Sequence, residues 1–158
     1  MNTENHIEEF IINNKEAFYR LAYSYVKNKE DALDIVQDSI YKALRSSHKL
    51  KDPSNAKTWF YKILVNTSID FIRKNKKIIY VEDEILDIYA NPIEDSTKDF
   101  DLHTALNKLS PKYKTIITLR FFEDMKLQDI ATILNENTST IKTRLYAALK
   151  KLRIEMED

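Results

Sequence analysis

An all-α fold of two small helical domains joined by an acidic connector is what this sequence predicts, and three observations carry it. Apolar residues recur at helical spacing through both halves of the chain. The 158 residues include no glycine and no cysteine. A formal net charge of zero hides three blocks. Residues 1–77 hold 14 basic and 10 acidic side chains, residues 78–101 one and eight, and residues 102–158 ten and seven. The chain therefore reads as basic, acidic, basic.

In chain order, His6 to Ile12 supply a short leading helix. Phe18, Leu21, Ala22 and Tyr25 then repeat at i, i+3, i+4 and i+7, Asn28 breaks the pattern, and Leu33, Val36, Ile40 and Leu44 resume it, so each helix is expected to bury that stripe. A third long helix spans residues 56–76, with Phe60, Ile63, Leu64, Thr67 and Phe71 along one side and Ser54 or Asn55, just after Pro53, as its cap. In residues 78–101, Pro92 and clustered Asp, Glu, Asn and Ser disfavour regular structure, which makes this a solvated linker. The second domain opens near Asp99, pauses at Ser110-Pro111, runs on through Phe122, and continues as two helices separated by Asn135-Glu136-Asn137. Pro111 suits the first turn of a helix capped by Ser110. The expected boundaries are 1–77, 78–101 and 102–158, and each core is small enough that a large partner would matter to stability.

Composition excludes several function classes. At 43% apolar and 32% charged the chain should fold as a soluble protein. Average usage would give roughly eleven glycines, and without any there is no phosphate-cradling loop and no dinucleotide fingerprint. The missing cysteine excludes disulfide scaffolds, thiol nucleophiles and thiolate metal sites. His6, His48 and His103 are scattered, so a metal hydrolase is not expected. Residues 1–9 are polar and acidic, without a basic-then-apolar signal pattern, and no apolar run approaches the roughly 20 residues a bilayer demands. The expected location is the cytoplasm, with no cofactor, no small-molecule substrate and no catalytic residue.

Three surfaces carry chemistry. Residues 127–153 have helix-turn-helix spacing: Ala131 stands where crossing helices need a small side chain, and Asn135 stands at the turn position where glycine is common, Asn being the next residue that tolerates left-handed φ. On the second helix, Ile141, Leu145, Ala148, Leu149 and Leu152 share one face, while Ser139, Thr143, Tyr146, Ala147 and Lys150 share the other. From Lys142 to Arg153 there are five basic residues and no acid, which supplies attraction for phosphates; a plain solvated basic helix is the blander alternative. On the third helix of the first domain, Trp59, Lys62, Asn66, Asp70 and Arg73 fall in one narrow arc. A ring, an amide and two cations suit a splayed single strand, and a Trp completing the core is the other reading. On the preceding helix, Asp31, Asp34, Ile35, Asp38 and Lys42 are expected to face out, an isoleucine among carboxylates that would dock a basic partner. Metal binding there would lack a proper cage.

In this order and spacing these residues resemble a bacterial sigma factor of the extracytoplasmic-function group, which contains only sigma region two, a linker and sigma region four. The resemblance covers nearly the whole chain. It rests on Asp34-Ile-Val-Gln-Asp38, on Trp59-Phe-Tyr-Lys-Ile-Leu-Val-Asn-Thr67, and on Leu109-Ser-Pro followed by the helix-turn-helix through Thr140-Ile-Lys-Thr-Arg144. It implies that Asp34, Ile35, Gln37 and Asp38 bind the clamp helices of the largest subunit of core RNA polymerase. It implies that residues 47–57, with Leu50 and Lys57, receive a base flipped from the minus-ten element of promoter DNA, and that Trp59, Lys62, Asn66 and Arg73 hold the separated strand. Unstacking costs a few kcal/mol, which such binding offsets. Region four would place Ser139, Lys142, Thr143, Arg144, Tyr146, Ala147 and Lys150 in or beside the minus-thirty-five major groove.

Two departures matter. Leu50 stands where some relatives carry an aromatic ring. Ala147 stands where relatives often carry arginine, and a methyl can touch thymine but cannot pair with guanine. The resemblance further implies stress-responsive control by an anti-sigma factor, often membrane-anchored. A helix-turn-helix regulator of duplex DNA acting without polymerase, and a helical adaptor, are the readings from other classes. Either one leaves the Asp34 patch and the Trp59 arc without a purpose.

Overall fold

The computed structural model describes residues 3–75, 105–106 and 108–157. The connector expected over residues 78–101 and the start of the second domain near Asp99 lie outside the described residues. What is described is helices and short turns, in two compact units taken here one at a time.

The first unit contains α1 (Thr3–Asn13), α2 (Lys15–Val26), α3 (Lys29–Arg45) and α4 (Ala56–Asn75). Its centre is aromatic. Phe18 lies 4.3 Å from Phe60 and 5.4 Å from Tyr61, ring centre to ring centre, and Phe10 joins them at 5.5 Å from Phe18. Tilted and edge-on pairs of this kind add about 0.5–1.5 kcal/mol each beyond their burial, so α1, α2 and α4 are fixed against one another. The α2–α3 corner needs a left-handed residue, and in a chain without glycine Lys27 supplies it (φ 53°), its N–H donating to the Tyr23 carbonyl at 2.7 Å. Asn28 then caps α3 by accepting from the Asp31 N–H at 2.8 Å.

The phase of α3 differs from the expected one. Ala32, Ile35, Val36, Ser39 and Ala43 are buried, whereas Leu33 and Leu44 are exposed. The physical reason is close packing. α3 lies against both α2 and α4, and the small side chains at 32, 39 and 43 admit that approach. Ser39 returns its hydroxyl to the Ile35 carbonyl at 2.8 Å, so no polar group is left unsatisfied.

Between α3 and α4 run two single 3-10 turns, Ser47–Lys49 and Pro53–Asn55. Asp52 caps the second of these turns, accepting from the Ser54 N–H at 3.0 Å, and Asn55 leads directly into α4. That bond, and then the Ser54 hydroxyl, holds the Asp52 carboxyl below the ordinary carboxylate range. The cap is thus present above the unfolded-state pKa and lost as pH falls through the depressed one.

The C-terminal half of the chain contains α5 (Pro111–Ile117), α6 (Leu127–Leu134) and α7 (Thr138–Glu157), with α5 packed on α7. Ser110 holds the N-cap position of α5, but its hydroxyl makes no capping bond and is buried without a partner. After α5 the helix widens into one π turn, Thr118–Phe122, closed by the Glu123 N–H on the Thr118 carbonyl at 2.9 Å. Asp124 (φ 58°) turns the chain, and Arg120 donates to the Met125 carbonyl at 2.9 Å to hold the exit. Ile116, Leu119, Ile130, Ile133 and Ile141 are fully buried. No described helix is long and apolar enough to cross a membrane.

Candidate partner and nucleic-acid interfaces

On α3 the outward face holds Asp34, Gln37 and Asp38, as expected, together with Leu33, Tyr41 and Leu44. Ile35 is the correction: it is 1% exposed and belongs to the core, because it shares the buried line of Ala32 and Ser39. The apolar content of this face comes from Leu33, 46% exposed, instead. Leu33, Gln37 and Leu44 stand four and seven residues apart, within about 40° around the helix, a seam on which another helix can lie. Asp34 and Asp38 lie along one side of the seam. At the far end Arg45 lies over the Tyr41 ring, 5.4 Å from its centre.

The arc on α4 is formed as the spacing predicts. Asn66, Asp70 and Arg73 are exposed, while Trp59 and Lys62 are half-buried. Trp59 thus offers part of its ring and anchors the rest. Lys57, also half-buried, stands two residues before Trp59 and so about 160° from it around the helix; it does not share the arc. Leu50 is the second correction. It is 7% exposed, so its side chain is not available to stack on a base. Apart from Pro53 it is the one apolar side chain between Arg45 and Ala56, and burying it anchors an otherwise polar loop.

On α7, Ile141, Leu145, Ala148 and Leu152 are buried, and Ser139, Lys142, Thr143, Tyr146 and Lys150 are exposed. Ala147 and Arg144 are half-buried. The turn before α7 explains how this face is aimed. Asn135 takes the left-handed conformation (φ 57°), and the Asn137 side chain accepts from both the Thr140 N–H and the Ser139 hydroxyl at 2.8 Å. The cap therefore already engages Ser139, leaving Lys142, Thr143, Tyr146 and Lys150 as the open positions. Arg144 is tied back to Glu136, Nη1 to Oε2 3.4 Å. Of the five basic residues from 142 to 153, Lys142, Lys150 and Arg153 are exposed on one side of α7 and make that side positive, whereas Lys151 lies over the Tyr113 ring.

Sequence reasoning missed Leu33, Tyr41 and Leu44, and it missed the exposed pair Phe121 and Phe122 on the π turn. The first group was signalled by the small residues of the opposite α3 face. Nothing in the sequence marks the π turn.

Comparison with known proteins matches two families in succession. The family described as Sigma-70 region 2 matches residues 10–78, and Sigma-70, region 4 matches residues 99–152. The chain is 58% identical over 146 residues to the RNA polymerase sigma factor SigV of Bacillus subtilis, a match spanning 92% of this chain and 88% of that protein. It is 30% identical to the ECF RNA polymerase sigma factor SigW of the same organism, over 91% and 85% of the two. Among solved structures it resembles the sigma factor RpoE of Bartonella quintana in complex with the anti-sigma factor NepR, with TM-score 0.75, 26% identity, and coverage of 95% and 96%.

Proposed function

The chain belongs to the sigma-70 family, in its extracytoplasmic-function group, and on that premise we propose that its three exposed helix faces divide the work of promoter opening. As an alternative sigma factor it binds core RNA polymerase and directs it to promoters. Its family is one of regulators rather than catalysts. An anti-sigma factor is its regulator by the same reading, as NepR is found with RpoE of Bartonella quintana. We place it in the cytoplasm, where polymerase is, and we take residues 1–77 as region two, 78–101 as linker and 102–158 as region four.

Polymerase docks on α3. The observation that carries this assignment is a solvent-facing seam of Leu33, Gln37, Tyr41 and Leu44 with Asp34 and Asp38 along one side. Fully burying one leucine is worth about 1.5–3 kcal/mol, whereas an exposed ion pair is worth about 0–1 kcal/mol. The apolar seam therefore supplies most of the affinity, and the carboxylates set orientation against a basic partner. On α4, Trp59 offers a stacking surface, Asn66 an amide for a base edge, and Lys62 and Arg73 charge for a single strand. On α7, Lys142, Thr143, Tyr146, Ala147 and Lys150 face duplex DNA in the major groove. A helix-turn-helix regulator working alone would use only the last of these faces.

Asp38→Arg tests the docking assignment. Placing a cation against a basic partner costs several kcal/mol, so the variant should fold normally yet fail to co-purify with core polymerase. Undiminished co-purification would refute the α3 docking site.

A further inference from the structure

Lys42, expected on the outward face of α3, is given no role of its own there, and its ammonium lies between two of the surfaces. Nζ sits 3.4 Å from Asp38 Oδ2, on the docking face of α3. It also donates to Thr67 Oγ1 at 3.2 Å, on α4, next in sequence to Asn66. Thr67 is buried, while the Lys42 and Asp38 side chains are 44% and 53% exposed. One cation thus ties the polymerase face to the seam beside the strand face.

The tie is easy to break at one end and anchored at the other. An ion pair this exposed shifts an equilibrium by only roughly two- to fivefold, so a basic group arriving at Asp38 competes with Lys42 on even terms. Once displaced, the ammonium has no second acid at helical-neighbour spacing on α3: positions 39, 45 and 46 are Ser, Arg and Ser. Arg45 repels it. What remains is the Thr67 hydroxyl on α4, next in sequence to the exposed Asn66, with Asp70, three residues beyond Thr67, the exposed acid of that helix.

We propose that Lys42 is a strand-contacting residue held in reserve: polymerase docking on Asp38 takes its ion partner away, and the freed ammonium meets a phosphate of the single strand lying on α4. The inference rests on the reading of Asp38 and Asn66 given above. It makes core binding and strand binding favour one another through a single side chain, and by linkage the coupling is reciprocal.

The test uses the full chain, core polymerase and a fluorescent single-stranded oligonucleotide of minus-ten sequence, with affinity measured across a range of salt. Lys42→Met keeps the apolar stem and removes the charge. It should bind core roughly two- to fivefold more tightly, because Asp38 is no longer occupied. Its holoenzyme should bind the strand more weakly by a similar factor and lose about 0.7 from the salt slope, the share of one phosphate on a single strand. Lys42→Gln should behave alike, and Lys42→Arg should retain the parent slope. Without core, parent and variants should share one slope. An unchanged slope in the Lys42→Met and Lys42→Gln holoenzymes would overturn the proposal, as would a slope change already present without core. Failure of the docking reading looks different, because there Asp38→Arg itself forms holoenzyme normally.

Discussion

Two residues apart on α3, Ile35 lies in the core while Leu33 faces solvent. Both stripes of that helix are apolar enough to be a core, so periodicity alone does not choose between them. The choice is made by side-chain size, since Ala32, Ser39 and Ala43 allow α2 and α4 to approach and the line they mark includes Ile35. The consequence is measurable. Ile35→Ala should destabilise the protein by about 2–5 kcal/mol and affect polymerase binding only through folding. Leu33→Ala should leave stability within about 0.5 kcal/mol and weaken binding to core, since it removes apolar area from the seam. Equal effects on stability, read by urea unfolding, would contradict this phase. Asp38 and Asn66 were legible in the sequence because a charge or an amide on a helix faces water unless paired. Leu50 was not, because burial of a lone loop leucine depends on which helices happen to lie beneath it.

At the scale of elements, helices were readable wherever a period ran for three turns, and their ends where an Asn or Pro stood at the right place. Asn135 and Asn137 are an example: one takes the left-handed turn and the other caps α7. Asn137→Ala should cost about 1 kcal/mol, seen as a lower unfolding midpoint, and should blunt duplex binding by loosening the first turn of α7. The Asp52 cap before α4 was not read, because it belongs to a 3-10 turn that no periodicity reveals. The π turn at Thr118–Phe122 was hidden for the same reason, since one extra residue per turn leaves no signature in composition. Lys150, exposed on α7, carries a prediction that belongs to this helix as a unit. Lys150→Ala should weaken binding to minus-thirty-five duplex and reduce its salt slope by about 0.9. A slope identical to that of the parent would exclude a phosphate contact at this position.

For the whole molecule, charge is the organising quantity. Zero net charge is divided into two basic blocks and an acidic one, which suits the proposed division between helical units on nucleic acid and an acidic face of α3 on a protein. The family follows from the order of those parts along the chain, more than from any one of them. On the proposed division of labour, the free chain is expected to bind promoter DNA weakly until it joins core polymerase. Permanganate footprinting on a promoter recovered by transcript sequencing after overexpression tests this most directly, with purified core polymerase present or absent. Thymines of the minus-ten element should become reactive only when core and the chain are both present, and Asn66→Ala should lower that reactivity without loss of core binding. Tight promoter binding by the chain alone, with no thymine opened when core is added, would contradict it.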